Sequence, residues 1–200
     1  MHTGSVRRSR DSTWGIIGFG RIGQAVARRA AAFGFAVCAF DAYLAQDEIR
    51  HHGAEPVALE DLLRSADVVS IHAARTGRED RMLDRRRLSL LKPTAYLVNV
   101  ARGELIDEKA LEDALDQGAL AGAALDVLAD EPPASQNGLL RHPRVLVTPH
   151  SAWYSDAAAV ELRTRGIAAV VDVLSGRRPV DLVPQLSRPA RAGRSSRSAV

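Results

Sequence analysis

Two hundred residues, 46% of them hydrophobic, suffice for one domain with tails and a sizeable core. No apolar run nears the roughly 20 residues of a membrane span, the basic start (MHTGSVRRSRDST) has no apolar stretch of the signal-peptide kind, and a lone cysteine, Cys38, excludes a disulfide framework or multi-cysteine metal site, so a cytoplasmic protein without a membrane or metal partner is expected. The net charge of +3 sits at the ends, since the last 14 residues carry +4 and the first 13 carry +2, leaving −3 on residues 14–186; no basic folded face with a reader motif marks a specific nucleic-acid binder.

The chain then alternates between strand and helix patterns. Residues 14–18 (WGIIG) read as a short apolar strand and 21–33 as a helix closed by Gly34. Residues 36–40 (AVCAF) form a second strand ending at Asp41, with Cys38 as inert core. A weak helix spans 46–52 and stops at Gly53; His51 and His52 lie at its solvated end with no third ligand suitably spaced for a metal. A helix over 59–65 precedes a strand over 67–72 (DVVSIH), whose His72 is structural or close to a cofactor. Further on come a helix over 84–91, stopped by Lys92-Pro93, a strand over 95–100 (AYLVNV) and an amphipathic helix over 107–117. Strands over 121–127 and 145–148 and a long helix over 155–174 complete the series. The strands are continuous apolar runs, which suits a parallel sheet covered on both faces. The expected fold is therefore α/β, a Rossmann-type doubly wound parallel sheet.

Gly18, Gly20 and Gly23 make G-x-G-x-x-G between the first strand and the first helix. Gly18 permits the tight turn, Gly20 lets the backbone approach a pyrophosphate, and Gly23 lets helix and strand pack closely. The helix start offers free N–H groups and partial positive charge to the phosphates, and Arg21 adds a cation. Asp41 ends the second strand about 20 residues on, where a carboxylate accepts from ribose hydroxyls and repels a 2′-phosphate. Ala42 and Tyr43 supply no compensating cation, so NAD is expected rather than NADP. The alternative is a glycine-rich turn kept for packing, with Asp41 as a strand-end cap.

Later segments narrow the reading. SIHAART (70–76), LKPTAYLVNVARGELIDEKAL (91–111), GAALDVLADEP (122–132) and VLVTPHSAWYS (145–155) occur in order. Together they resemble the nucleotide-binding domain of the D-isomer-specific 2-hydroxyacid dehydrogenases over about residues 12–180. HSAWYS and AFGFAVCAFDAYL bring the chain nearest to the C-terminal-binding-protein branch. The resemblance implies an NAD-dependent oxidoreductase that passes a hydride between the cofactor and a 2-oxo or 2-hydroxy acid. It implies that Arg102 holds the substrate carboxylate, that His150 is the general acid/base, and that Glu131 is its partner carboxylate. Asp126 then contacts the nicotinamide end, with Ile22 behind the phosphates, Ala73 and Thr76 near the adenosine and ribose, and Val100 by the nicotinamide. Arg102 and His150 also border the cofactor. Trp153 shapes a pocket for an apolar or sulfur-containing side chain, and a homodimer through this domain is implied. Ala74 stands where many members have proline.

Each of these residues has a plainer reading. Arg102 can cap a strand end, Glu131 can belong to a turn before Pro132-Pro133, His150 can be a satisfied loop histidine, and Trp153 can be core or dimer packing. The expected organisation is a linker remnant or disordered segment over 1–13, the NAD domain over 14–180 and a basic, disordered tail over 181–200. Only 13 residues precede Trp14, so most of the family's substrate domain is expected to be missing, whether by a mis-assigned start or by a real short chain. Weak turnover, a non-catalytic NAD(H)-sensing module of corepressor type and an inactive fragment all follow from that expectation.

Overall fold

A computed structural model describes residues 8–74, 81–180 and 182. Two compact units divide the chain, Met1–Trp153 and Tyr154–Val200. The first unit is built on seven strands: β1 (Thr13–Ile17), β2 (Ala36–Phe40), β3 (Glu55–Pro56), β4 (Val68–Ile71), β5 (Tyr96–Asn99), β6 (Gly122–Leu125) and β7 (Val145–Val147). Its helices are α1 (Arg21–Ala32), α2 (Gln46–His51), α3 (Leu59–Ser65), α4 (Arg85–Leu88) and α5 (Glu108–Asp116). The sheet order is β3-β2-β1-β4-β5-β6-β7, with every pairing parallel.

Register makes one edge of this sheet chemically special. Phe40, Ile17, Ile71, Asn99, Leu125 and Val147 lie side by side across six strands. The next residue of each strand is Asp41, Gly18, His72, Val100, Asp126 and Thr148. Ligands of open parallel α/β sheets bind beyond this carboxyl-terminal edge, at the point where strand order reverses. Here the reversal falls between β1 and β4.

Successive strand residues point to opposite faces, and the two faces are covered by different helices. Ile17 joins a large cluster with Leu62 and Leu63 of α3, Leu88 of α4, and Leu111 and Leu115 of α5. Ile16 joins a smaller one with Phe19, Ala27 of α1, Ala39 and Ile49 of α2. Burying one such Leu or Ile contributes about 1.5–3 kcal/mol. The helix α1 presents Gly23, Ala27 and Ala30 inward, small residues that allow close approach to the sheet, and the chain leaves it through Gly34 at φ +90°. Asp107 caps α5 by accepting from the Ala110 N–H at 3.1 Å.

Some elements depart from the sequence expectation. The helix expected over 84–91 is only Arg85–Leu88. Pro93 disfavours helical backbone at Lys92, and Lys92 instead accepts from the Ala95 N–H while its ammonium reaches Asp67 at 3.0 Å. The two-residue β3 was not expected. The disorder expected over 1–13 does not hold for its described residues: Ser9–Asp11 form a 3-10 turn, Ser12 accepts from the Ala36 N–H, and Thr13 donates to Asp67, which ties them to the sheet. Cys38 is buried in β2, and burial pushes its thiol pKa up, away from nucleophilic use.

The second unit contains α6 (Asp156–Leu174), capped by Ser155 accepting from the Ala158 N–H at 3.0 Å. No helix among the described residues is long and apolar enough to cross a membrane.

Candidate cofactor and catalytic site

The glycine loop leaves β1 at Gly18, whose φ of +87° favours glycine, and a side chain there would strike the Ala73 backbone. Ala73 is thus placed against the loop. A Cβ on Gly23 would collide with the Gly18 carbonyl, so these two glycines answer to internal packing. Gly20 does not. Its φ is −69°, and a Cβ built on it meets nothing within 4 Å. The space it keeps clear lies outside the protein, at the start of α1, where first-turn N–H groups have no intrahelical acceptor. Arg21 and Ile22 are exposed at this point. A pyrophosphate fits such a cradle.

Asp41 closes the loop from the neighbouring strand. One carboxylate oxygen accepts from the Phe19 N–H at 2.7 Å, and the other accepts from Tyr43 and Leu44 at 2.8 and 3.1 Å. A carboxylate has about four acceptor positions, so capacity for a further donor remains.

The ends of β5, β6 and β7 carry the second half of the site. Asn99 is fully buried; its amide donates to the Arg102 carbonyl at 2.8 Å, and its side-chain oxygen accepts from the Ala101 N–H at 3.0 Å. This folds the chain back so that the exposed Arg102 follows the half-exposed Val100 past the sheet edge. The Arg102 guanidinium rests on the Ala101 carbonyl at 2.6 Å.

Asp126, 5% exposed, accepts from the Thr148 hydroxyl at 2.6 Å and from the Ser151 and Ala152 N–H groups at 2.9 Å each. Burial pushes its pKa up, but these bonds outweigh it and hold the carboxyl below its ordinary value. Its backbone carbonyl accepts from the His150 N–H at 2.9 Å. His150 itself stands at φ +51°, the one non-glycine residue with positive φ among those described. The left-handed turn at the histidine is therefore over-determined by one acid.

His150 Nδ1 bonds Glu131 Oε2 at 2.7 Å. A carboxylate partner makes Nδ1 the protonated nitrogen and leaves Nε2 for exchange with a substrate. Glu131 Oε1 accepts from the Leu128 N–H at 3.1 Å. The bond to His150 draws the Glu131 carboxyl below its ordinary value despite some desolvation. The Trp153 indole donates to the His150 carbonyl at 3.0 Å, and the residue is 53% exposed.

Of the residues singled out from sequence, Gly18, Gly20, Arg21, Ile22, Gly23, Asp41 and Ala73 gather at the glycine loop. Glu131, His150, Asp126 and Trp153 share one hydrogen-bonded group beyond β6 and β7, and Val100 and Arg102 leave the adjacent strand end. Thr76 lies outside the described residues. Asn99 and Thr148 were not anticipated as positioning groups; a polar residue inside the apolar run AYLVNV was the available signal for the first. Among the described residues no group of three or more His, Cys, Asp or Glu side chains could hold a metal ion.

Comparison with known proteins decides the family. Residues 2–152 match the family model described as "D-isomer specific 2-hydroxyacid dehydrogenase, NAD binding domain". The chain belongs to this family. As its NAD-binding domain, it takes NAD as cofactor, and the space kept clear by Gly20 fits that group. A glyoxylate reductase of Korarchaeum cryptofilum (strain OPF8) is 40% identical over 174 residues, 87% of this chain and 51% of that protein. A D-3-phosphoglycerate dehydrogenase of Bacillus subtilis (strain 168) is 43% identical over 138 residues, 69% of this chain and 26% of that protein. The crystal structure of D-lactate dehydrogenase with NAD+ from Lactobacillus jensenii superposes with a TM-score of 0.81 at 30% identity, over 90% of this chain and 58% of that one. The chain thus spans about half the length of the glyoxylate reductase. The Rossmann-type doubly wound fold expected from the strand pattern is the fold of the family.

Proposed function

We propose that this chain is the catalytic NAD-binding part of a D-2-hydroxyacid dehydrogenase, interconverting a small 2-oxo acid and its 2-hydroxy acid. The observation that carries this reading is the 2.7 Å His150–Glu131 bond, set beyond the same sheet edge as the glycine loop. When bound, NAD supplies the hydride acceptor or donor. The chain's own residues do the rest. Arg102 holds the substrate carboxylate with its planar fork, a task suited to guanidinium rather than ammonium. His150 gives a proton to the 2-oxo oxygen during reduction and takes it back during oxidation. Glu131, bonded to Nδ1 at 2.7 Å, fixes the imidazole tautomer and orients the ring.

Asp41 favours NAD over NADP, because a 2′-phosphate would face a carboxylate already held in place by three backbone donors. Ile22, Ala73, Thr76 and Val100 would contact the cofactor in this reading, and Asp126 would contact its nicotinamide end. Trp153, exposed and anchored to the His150 carbonyl, selects apolar or sulfur-containing side chains. The setting is a cytoplasmic homodimer that uses this domain.

The test is NADH oxidation with a panel of 2-oxo acids. Turnover that is lost in His150→Gln is expected. NAD binding without turnover on any member of the panel would replace the enzyme reading with that of an NAD(H)-responsive binding module.

A further inference from the structure

Resting on the reading of Glu131 and His150 given above, we propose that Glu108 is a positioning residue that pins both ends of the Glu131 loop and thereby keeps Glu131 on His150. The loop runs from residue 128 to 137. At its start, Glu108 Oε1 accepts from the Ala129 N–H at 2.6 Å. At its end, Glu108 Oε2 accepts from the Asn137 side-chain amide at 3.2 Å. One carboxylate therefore closes the loop, using both oxygens.

Neither attachment is free to drift. Asn137 spends its own side-chain oxygen on the Leu139 N–H at 3.0 Å, so its NH2 must face Glu108. Leu139 is anchored in the main core at 1% exposure. At the other end, the Gly103 backbone runs so close to Leu128 and Ala129 that a Cβ would overlap them. Leu128 then donates to Glu131 Oε1, and Glu131 Oε2 reaches His150. The path from Glu108 to the imidazole is continuous: Ala129, Leu128, Glu131, His150.

Glu108 also opens α5, six residues after Arg102 and one after the Asp107 cap. The segment carrying the arginine and the loop carrying the glutamate are thus fastened at one carboxylate. A helix-opening glutamate also interacts favourably with the helix dipole. That purely structural role predicts an effect on stability alone, so the two can be told apart.

The experiment is a carbon-detected NMR titration of the Glu131 carboxyl in the full chain, for wild type, Glu108→Ala, Glu108→Gln and Asn137→Asp. The groups acting on Glu131 are His150, the Leu128 N–H and the Asp126 charge. Glu108→Ala is expected to raise its titration midpoint toward 4.5 by at least about half a pH unit, or threefold in proton affinity. Glu108→Gln keeps one acceptor but turns an amide toward the Asn137 amide, and should fall between. Asn137→Asp sets two carboxylates against each other and should act like Glu108→Ala, which covers the case of an unfolded alanine variant. An unchanged Glu131 midpoint in the folded variants, with only a lower Tm, overturns the proposal. The readout needs no turnover, so failure of the 2-oxo acid assay with a shifted midpoint would remove the enzymatic reading and leave the positioning role intact.

Discussion

Asp126→Asn isolates the acid that shapes the histidine loop. The variant keeps the side-chain shape and one acceptor oxygen. If that oxygen takes the place of Oδ1, the bonds from Thr148 and Ser151 survive at neutral strength, and the new NH2 faces the Ala152 N–H. Hydrogen bonds to a charged group are worth about 1.5–3 kcal/mol and neutral ones about 0.5–1.5, so two weakened bonds and one lost bond cost about 3 kcal/mol after water reaches the exposed loop. For a chain of this size that lowers Tm by about 6–12 °C. Thermal unfolding followed by circular dichroism at pH 7 reads the difference. The acid limb supplies a second check. The Asp126 carboxyl is held below 3.8, so its stabilisation is present above that pH and is lost as acid protonates the folded form. The gap between wild type and variant should therefore close below pH 3.8. A variant whose Tm stays within about 1 °C of wild type at pH 7 would refute the view that this carboxylate holds the left-handed turn at His150.

The glycines separate packing from binding. Gly20→Ala, with open space around the new methyl, should cost no more than about 1 kcal/mol yet weaken NAD binding at least about tenfold, whereas Gly23→Ala should lower both Tm and affinity; calorimetry and thermal melts compare them. Gly103→Ala drives a methyl into the Leu128–Ala129 backbone and should cost about 1–3 kcal/mol in urea unfolding. Burial lowers the His72 pKa to about 4 from 6.5, and its Nδ1 has no partner among the described residues. The unfolded chain therefore binds the proton first, and stability should fall as pH drops from 6.5 toward 4. His72→Phe should flatten that slope, and an unchanged slope would mean that another group titrates. Glu131→Gln should lower kcat about 10²-fold with NAD affinity unchanged, measured by steady-state kinetics and calorimetry; an unaltered kcat would exclude Glu131 from catalysis.

Legibility from sequence tracked the range of the interactions involved. Ala36–Phe40 and Leu59–Ser65 coincide with their expected bounds because an apolar run or a helical period is a local signal. The two-residue β3 exists only because Cys38 and Ala39 offer it a partner, so nothing in Glu55-Pro56 announces a strand. The helix expected over 84–91 ends at Leu88, because Leu90 and Leu91 donate to Arg87 and Leu88 in i→i+3 turns that the residue pattern does not distinguish from α-helix. At the site, glycine spacing and Asp41 were readable because the loop geometry is encoded within some 24 residues of contiguous sequence. Glu108 was not, because its partners Ala129 and Asn137 lie 21 and 29 residues away. The family resemblance implies a cofactor contact for Asp126, while its bonds to Thr148, Ser151 and Ala152 depend on β6 and β7 being neighbours.

The central claim is that the glycine loop and Asp41 hold NAD, and titration calorimetry of the purified full chain tests it most directly. The account predicts saturable one-to-one binding of NAD+ and NADH, much weaker binding of NADPH, and loss of affinity in Gly20→Ala without loss of fold. Absence of heat with either NAD+ or NADH at millimolar concentration, from a chain that melts cooperatively, would contradict it.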